Sequence, residues 1–397
     1  MQNKHEAHHL RQMQMLPLEA KIRMSKDRIK VWHDAWVKYE IYNTNTNKTR
    51  FVTSDEEPQL KEHEYIVSAL DGQVYVGLSG GKDSTVLKHL VDSMYGDVPA
   101  VFANTGLEYP EIQTFVRQIK AGRYNCFNSN VEIVRPEMRF DEVIKKYGYP
   151  VIGKEVAQII REAKIGLSRN DGSYKYRIQK ITGTGVYAPK NGKKSRYDVS
   201  KYQHLLQAPF DVSEQCCKVM KKNPSRRYEK ETGRKPILGT MASESALRYQ
   251  RWLKYGCNAF SATGGQQASN PLSFWTEQDI LQYIKKFNVP YCPIYGDIVV
   301  DDDSEYADET QITIFDILGD YEGAKLKTTG VKRTGCIFCM FGCHLEKGPN
   351  RFQRLKETHP KQYDFCINGG EVVDGKWQPN KEGLGCGKVL DYIGVGY

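Results

Sequence analysis

An α/β fold built on a doubly wound parallel sheet is the class this sequence predicts, and three stretches predict it. Residues 74–78 form a short apolar run that stops at Gly80-Gly81 and continues into a helical stretch from Thr85 to Tyr95. A second run, Pro99 to Ala103, ends at Asn104-Thr105-Gly106, and Leu107-Glu108-Tyr109-Pro110 opens another helix through Ile119. A third, Val131 to Val134, precedes an amphipathic helix from Phe140 to Tyr147. Short apolar runs alternating with helical segments read as buried parallel strands joined by crossover helices. In such sheets ligands sit beyond the carboxyl ends of the strands. Ser79 to Ser84 and Asn104 to Glu108 are therefore expected to face one crevice.

The remaining elements follow from pattern and composition. Leu18 to Glu40 carries Leu18, Ile22, Ile29, Trp32 and Trp36 at helical spacing and predicts a helix packed on the domain or on a partner subunit. Tyr42 to Glu62 is polar and reads as a loop or small insertion. A further helix is expected from Val151 to Arg161, opened by Gly153-Lys154-Glu155. Lys235 to Gly239 reads as a strand running into Thr240, Met241 and Glu244-Ser245, with Arg248 one helical turn on. Thr276 is the expected N-cap of a helix whose Trp275 and Ile280 belong to the core.

Charge is unevenly spread. The chain of 397 residues has a formal net charge of +9, with 40% hydrophobic and 26% charged residues, the composition of a globular protein with two or three structural units. Residues 164–201 hold ten Lys or Arg against two acids, with Tyr174, Tyr176, Tyr187 and Tyr197 between them. A flexible basic loop with aromatics suits a nucleic acid, DNA or tRNA, through backbone charge and base stacking; a solvated insertion without a ligand is the competing reading. Residues 297–322 are the opposite, acidic with no Lys or Arg, and read as a solvated insertion. No apolar run approaches the roughly 18 residues that cross a bilayer. Met1 to Arg11 is polar with no signal-like stretch. The expected location is the cytoplasm, with no membrane partner.

The chemistry is concentrated in two motifs. In Ser79-Gly80-Gly81-Lys82-Asp83-Ser84 a strand gives way to a helix through glycines, so backbone N–H groups and the positive helix end converge on one spot suited to a phosphate. Lys82 adds charge, and Ser79 and Ser84 add hydroxyl donors. The competing reading is a plain strand–turn–helix corner. The second motif is cysteine. Of ten cysteines, Cys216 and Cys217 are adjacent, and Cys336 and Cys339 form a Cys-x-x-Cys followed by Cys343. In a reducing compartment such spacing points to metal or thiol chemistry. Two neighbouring cysteines on regular structure diverge, which suits a cluster with separated irons. A [4Fe–4S] cluster on Cys216, Cys217, Cys336 and Cys339 is the expectation, with zinc second and a redox dithiol third.

The Ser-Gly-Gly-Lys-Asp-Ser spacing differs from Walker A and resembles the PP-loop of the adenine nucleotide α-hydrolase superfamily. With Cys-Cys and then Cys-x-x-Cys following, and with Pro271-Leu272, Trp275, Asp279 and Tyr283-Ile284, residues 65–345 resemble the adenylylsulfate and phosphoadenylylsulfate (PAPS) reductase family. They resemble the related ATPase of DNA phosphorothioation equally. The resemblance implies an α-hydrolase-like nucleotide domain with an N-terminal helix and a C-terminal iron–sulfur region. It implies a helical extension over 1–64, a PP-loop domain over 65–290 carrying the basic insertion, and an acidic then cysteine-rich region over 291–397. It implies Lys82, Asp83 and Ser84 as catalytic residues. The nucleotide, ATP or a sulfated relative, with Mg²⁺, is implied to contact Ser79, Gly80, Gly81, Lys82, Asp83, Ser84, Asn104, Thr105, Gly106, Glu108, Glu244 and Ser245. Glu108 reads equally as a metal or ribose contact and as an ordinary residue at a helix start.

Two departures separate the activities that the resemblance allows. The reductases attack sulfate sulfur with a cysteine on a mobile C-terminal tail, in a Glu-Cys-Gly-Leu/Ile-His context. Here Gly385-Cys386-Gly387-Lys388 keeps Cys-Gly without the flanking Glu and His, and Met241 stands where an anion-binding arginine is expected. The favoured expectation is therefore an ATP pyrophosphatase that adenylylates an acceptor for sulfur incorporation, with a sulfur donor or reductant protein as partner. A reductase releasing sulfite is the alternative, and a non-catalytic sensor subunit binding nucleotide and cluster is the third.

Overall fold

The computed structural model describes residues 5–195, 197–260, 267–301 and 324–397. The chain divides into two compact units, neither a contiguous run. The first comprises Met1–Asn104, Tyr109–Val134 and Ser225–Thr334; the second comprises Thr105–Glu108, Arg135–Pro224 and Gly335–Tyr397.

The first unit holds the expected parallel-rich sheet. Its strands β4 (Val74–Gly77), β5 (Ala100–Ala103), β6 (Val131–Val134), β8 (Lys235–Leu238), β9 (Asn258–Ala259) and β10 (Ala268–Ser269) lie in the order β6-β5-β4-β8-β10-β9. Val74, Tyr75 and Val76 are all buried, as expected where helices cover both faces. The order runs outward from β4 through β5 and β6 on one side and through β8 and β10 on the other. The gap between β4 and β8 is thus the topological switch point, where a crevice opens at the strand ends. The sheet departs from the all-parallel expectation at one edge: β9 is antiparallel to β10. Only residues 260–267 connect them, fewer than the dozen or so a parallel crossover requires.

Helices α3 (Lys82–Asp92) and α4 (Pro110–Lys120) follow β4 and β5. In α4, Pro110 opens the first turn, and Ile112, Phe115, Val116 and Ile119 form the buried face, with Arg117 and Lys120 in the last turn. The N-terminal helix α2 (Leu18–Ala35) is packed into the same unit. Lys21 Nζ lies 2.7 Å from Asp279 Oδ1, while Ser25 Oγ donates to Pro271 O at 2.9 Å and accepts from Trp275 Nε1 at 2.9 Å. Thr276 caps α10 (Glu277–Phe287) as expected, accepting from Asp279 N, and Trp275 and Ile280 are fully buried.

Two expectations at the N-terminal end are corrected. The helix stops at Ala35, and Val37–Asn43 is a strand, β1. The polar stretch after Tyr42 also contributes a strand, β2 (Lys48–Ser54), which with β3 (Glu64–Leu70) makes an antiparallel sheet in the order β2-β1-β3. Alternation from Lys38 to Tyr42 and the β-branched residues of Lys48-Thr-Arg-Phe-Val-Thr carry these strands, although hydrophobicity is low. The Asn-Thr repeat between them supplies the turn, with Asn47 at φ 53°.

In the second unit a two-stranded parallel pair, β7 (Val151–Ile152) with β13 (Met340–Phe341), ties the middle of the chain to the Cys-x-x-Cys segment. Helix α6 (Lys154–Arg169) extends beyond the expected end at Arg161, and α7 (Lys175–Thr182) follows it. The basic stretch is therefore not the flexible loop expected. Arg177 pairs with Glu162 at 2.7 Å, Lys180 with Glu155 at 2.8 Å and Lys164 with Asp211 at 3.7 Å. Those three acids lie outside 164–201, so counting charge within the window overstates the free positive surface. Tyr176 and Tyr197 remain exposed. Of the acidic stretch, residues 302–322 lie outside the described residues. Its start forms β11 (Ile298–Val300), paired with β12 (Leu326–Thr328), and Asp301 pairs with Lys325 at 2.7 Å.

Candidate nucleotide and cysteine sites

The glycine turn lies at the switch point between β4 and β8. Gly80 has φ 72°, and a Cβ there would lie 2.8 Å from Ile112 Cγ2, so both conformation and space call for glycine. Ser79 N donates to Ser84 Oγ at 3.1 Å, and Ser84 Oγ donates to Gly81 O at 2.9 Å, closing the loop against the first turn of α3. Lys82 is held by several partners at once. Its Nζ lies 3.1 Å from Glu277 Oε1, 3.6 Å from Asp83 Oδ1 and 3.4 Å from Lys332 O. Its N–H donates to Tyr295 OH at 3.2 Å. Burial works against the Lys82 ammonium, but Asp83, Tyr295 and Glu277 outweigh it and hold its pKa above the usual value.

Asp83 is the strained member. Its Oδ1 is buried and accepts no hydrogen bond. Burial and Glu277 push its pKa up, only partly opposed by Lys82 and Arg333. After β8, Glu244 Oε2 accepts from Met241 N at 2.9 Å and from Arg248 Nη1, while Ser245 Oγ accepts from Arg248 N as the N-cap of α9 (Ala246–Tyr255). Burial and the neighbouring Arg333 lower the pKa of Arg248, and Asp83 works in the opposite direction. Lys82, Arg248 and Arg333 stand here against Asp83, Glu277 and Glu244, three cations with three carboxylates.

Of the second expected nucleotide segment, only Asn104 belongs to this unit. It follows β5, the strand next to β4, and its N–H donates to Val134 O at 2.9 Å. Thr105, Gly106 and Glu108 belong to the other unit, where Glu108 folds back on its own turn. Its Oε1 accepts from Thr105 Oγ1 at 2.7 Å and its Oε2 from Thr105 N at 3.0 Å, around Gly106 at φ 74°. Glu108 precedes α4 and is not a residue of it.

Cys216, Cys217, Cys336 and Cys339 are brought together in that second unit. Cys216 Sγ donates to Cys217 Sγ at 4.0 Å, and the chain continues into a π-helical turn, Lys218–Lys222, of the kind that recurs at functional sites. The Cys-x-x-Cys turn is fixed by Ile337 N donating to Leu107 O at 2.8 Å and by Arg351 Nη1 donating to Cys339 O at 2.9 Å. Burial raises the Cys336 thiol to about 11, against the pull of Lys221. The hydrogen bond from Cys216, with Lys154 and Lys221, holds Cys217 well below the ordinary thiol range. Lys221 is held above the usual lysine range by Cys336 and Glu108 despite its burial. Among the described residues, no three His, Cys, Asp or Glu side chains converge on a point suited to one ion. Four interacting thiols with Lys154, Lys221 and Arg351 around them fit the sulfur donors and compensating charge that an iron–sulfur cluster requires.

The phosphoadenosine phosphosulfate reductase domain model matches residues 73–165 and 169–340. The chain belongs to this family. A crystal structure of phosphoadenylyl-sulfate (PAPS) reductase from Candida auris, in complex with phosphate, aligns with 56% of this chain and 75% of its own. Its identity is 17% and its TM-score 0.31. No curated protein matches the chain.

The reductase-domain match includes the glycine turn and all four cysteines and ends at Met340. Cys343, Cys366 and Cys386 lie beyond it, and all three are buried. Cys343 Sγ donates to Met340 O at 3.0 Å. Cys386 starts the helix Cys386–Tyr392, fully buried beside Cys366 and Tyr149. Tyr295, Glu277, Thr334, Lys154 and Lys221 escaped sequence reading. A signal existed for one of them: Lys221 is one turn past Cys217. Tyr295 has no local signature. No helix among the described residues is long and apolar enough to cross a membrane.

Proposed function

We propose that this family member is an ATP pyrophosphatase of sulfur chemistry. The nucleotide's phosphates would lie on the Ser79–Ser84 turn, and an acceptor oxygen would attack the α-phosphorus. The new O–P bond displaces pyrophosphate, whose charge Lys82, Arg248 and Arg333 would offset. A sulfur nucleophile then takes the place of the adenylylated oxygen, and AMP leaves. Asp83 and Glu277 are the residues that would hold Mg²⁺, which supplies charge neutralisation on the phosphates. Cys216, Cys217, Cys336 and Cys339 would hold a [4Fe–4S] cluster, which when bound supplies a place to carry sulfur or electrons.

The observation that carries this reading over sulfate reduction is Cys386. The reductase reaction needs a thiolate able to reach a nucleotide, and Cys386 is 0% exposed inside a helical packing. Cys343, at 2% exposed, is no better placed to attack. A nucleic-acid acceptor is supported by what the basic insertion leaves exposed: Lys175, Lys190 and Lys193 with Tyr174 and Tyr176.

The test is phosphorus-31 NMR on anaerobically purified protein given ATP, adenylylsulfate or PAPS separately, with DNA or tRNA and a sulfur donor. Pyrophosphate and AMP from ATP, increased by one nucleic acid and abolished in Lys82→Ala, is the expected result. Conversion of a sulfated nucleotide with ATP untouched identifies a reductase, and nucleotide recovered unchanged identifies a sensor. Cys336→Ser is expected to be colourless with iron lost; full iron content in that variant would overturn the ligand set.

A further inference from the structure

Three hydroxyl groups converge over Gly81. A Cβ built on that residue would lie 3.0 Å from Thr334 Oγ1, 3.2 Å from Tyr295 OH and 3.3 Å from Ser79 Oγ. Gly81 has φ −75°, a conformation open to any residue, so the surrounding space and not the backbone accounts for glycine here. Tyr295 OH accepts the Lys82 N–H at 3.2 Å and lies 2.8 Å from Thr334 Oγ1. Lys82 Nζ is 5.5 Å from the centre of the Tyr295 ring. Tyr295 is 2% exposed, at the end of the short helical turn Pro293–Tyr295, so its hydroxyl is held in place.

A phenol has two lone pairs and one proton. The Tyr295–Thr334 bond can run either way; with Thr334 as its donor and the Lys82 N–H on the other lone pair, the phenolic proton is left for a third group. A phosphate oxygen over Gly81 would accept it, beside an ammonium already at that point. We propose that Tyr295 and Thr334 complete the phosphate seat and bind the pyrophosphate half of a nucleoside triphosphate. The proposal rests on the nucleotide reading above and names the residues that distinguish a triphosphate from a monophosphate.

Calorimetric titration of the full chain with ATP, inorganic pyrophosphate and AMP, each with Mg²⁺, tests it. Tyr295→Phe and Thr334→Val are each expected to weaken ATP and pyrophosphate about tenfold while leaving AMP unchanged. Both variants should melt within a few degrees of the parent; should Tyr295→Phe fail to fold, Thr334→Val carries the test. Parental affinity for ATP in the folded variants, tighter binding, or an equal loss of AMP would overturn the assignment. Lys82→Ala separates the two layers. If Lys82→Ala loses ATP while the hydroxyl variants keep it, only this inference fails; if Lys82→Ala also binds normally, the nucleotide reading fails.

Discussion

Asp83 faces a conflict that its neighbours do not resolve. Its carboxylate has one buried oxygen without a donor, and burial has raised its pKa above the ordinary 3.8. An acid with a raised folded pKa binds its proton in the native state before the unfolded chain does. Stability therefore rises as pH falls through the folded value and levels off below about 3.8, the unfolded value. Asp83→Asn is expected to be about 1 kcal/mol more stable than the parent at pH 7, converging with it near pH 4, and to lose pyrophosphate release. Denaturant unfolding across that pH range checks the sign; a variant less stable than the parent at pH 7 would mean Asp83 is well solvated there. The glycines, Lys82 and the four cysteines were legible in the sequence because spacing alone constrains them. Tyr295 was not legible, because its place over Gly81 is set by a turn more than two hundred residues away.

At the scale of elements, the strands β4, β5, β6 and β8 and the helices α3 and α4 read out, since each has a short apolar run or a single buried face. The sheet β1–β3 did not, because its signal is β-branching and alternation and β3 leaves Tyr65, Val67 and Leu70 exposed. The basic insertion was misread for another reason: its partners Glu155, Glu162 and Asp211 are outside the window in which charge was counted. The N-terminal helix offers an element-scale prediction. Lys21 and Asp279 are 3% and 9% exposed, and Asp279 also accepts from Thr276 N at the start of α10. Lys21→Ala leaves that carboxylate buried without its cation and is expected to cost about 3–5 kcal/mol in thermal or urea unfolding. A loss below 1 kcal/mol would show that α2 is not anchored through this pair.

For the whole molecule, Cys386 gives the cleanest division between activities. Cys386→Ala is expected to keep ATP-dependent pyrophosphate release within about twofold of the parent, at a stability cost of about 1 kcal/mol for the lost buried sulfur. A loss of turnover in a folded variant would return the thiol to the chemistry. The division of the chain into units has a different reach. The backbone passes from one unit to the other after residues 104, 108, 134, 224 and 334. No single cut releases either unit intact, and a genetic crossover joining this chain to a relative in the middle of the gene leaves both units hybrid. Such a crossover takes the Ser79–Ser84 turn from one parent and all four cysteines from the other, so neither unit can be lent to another protein as a cassette.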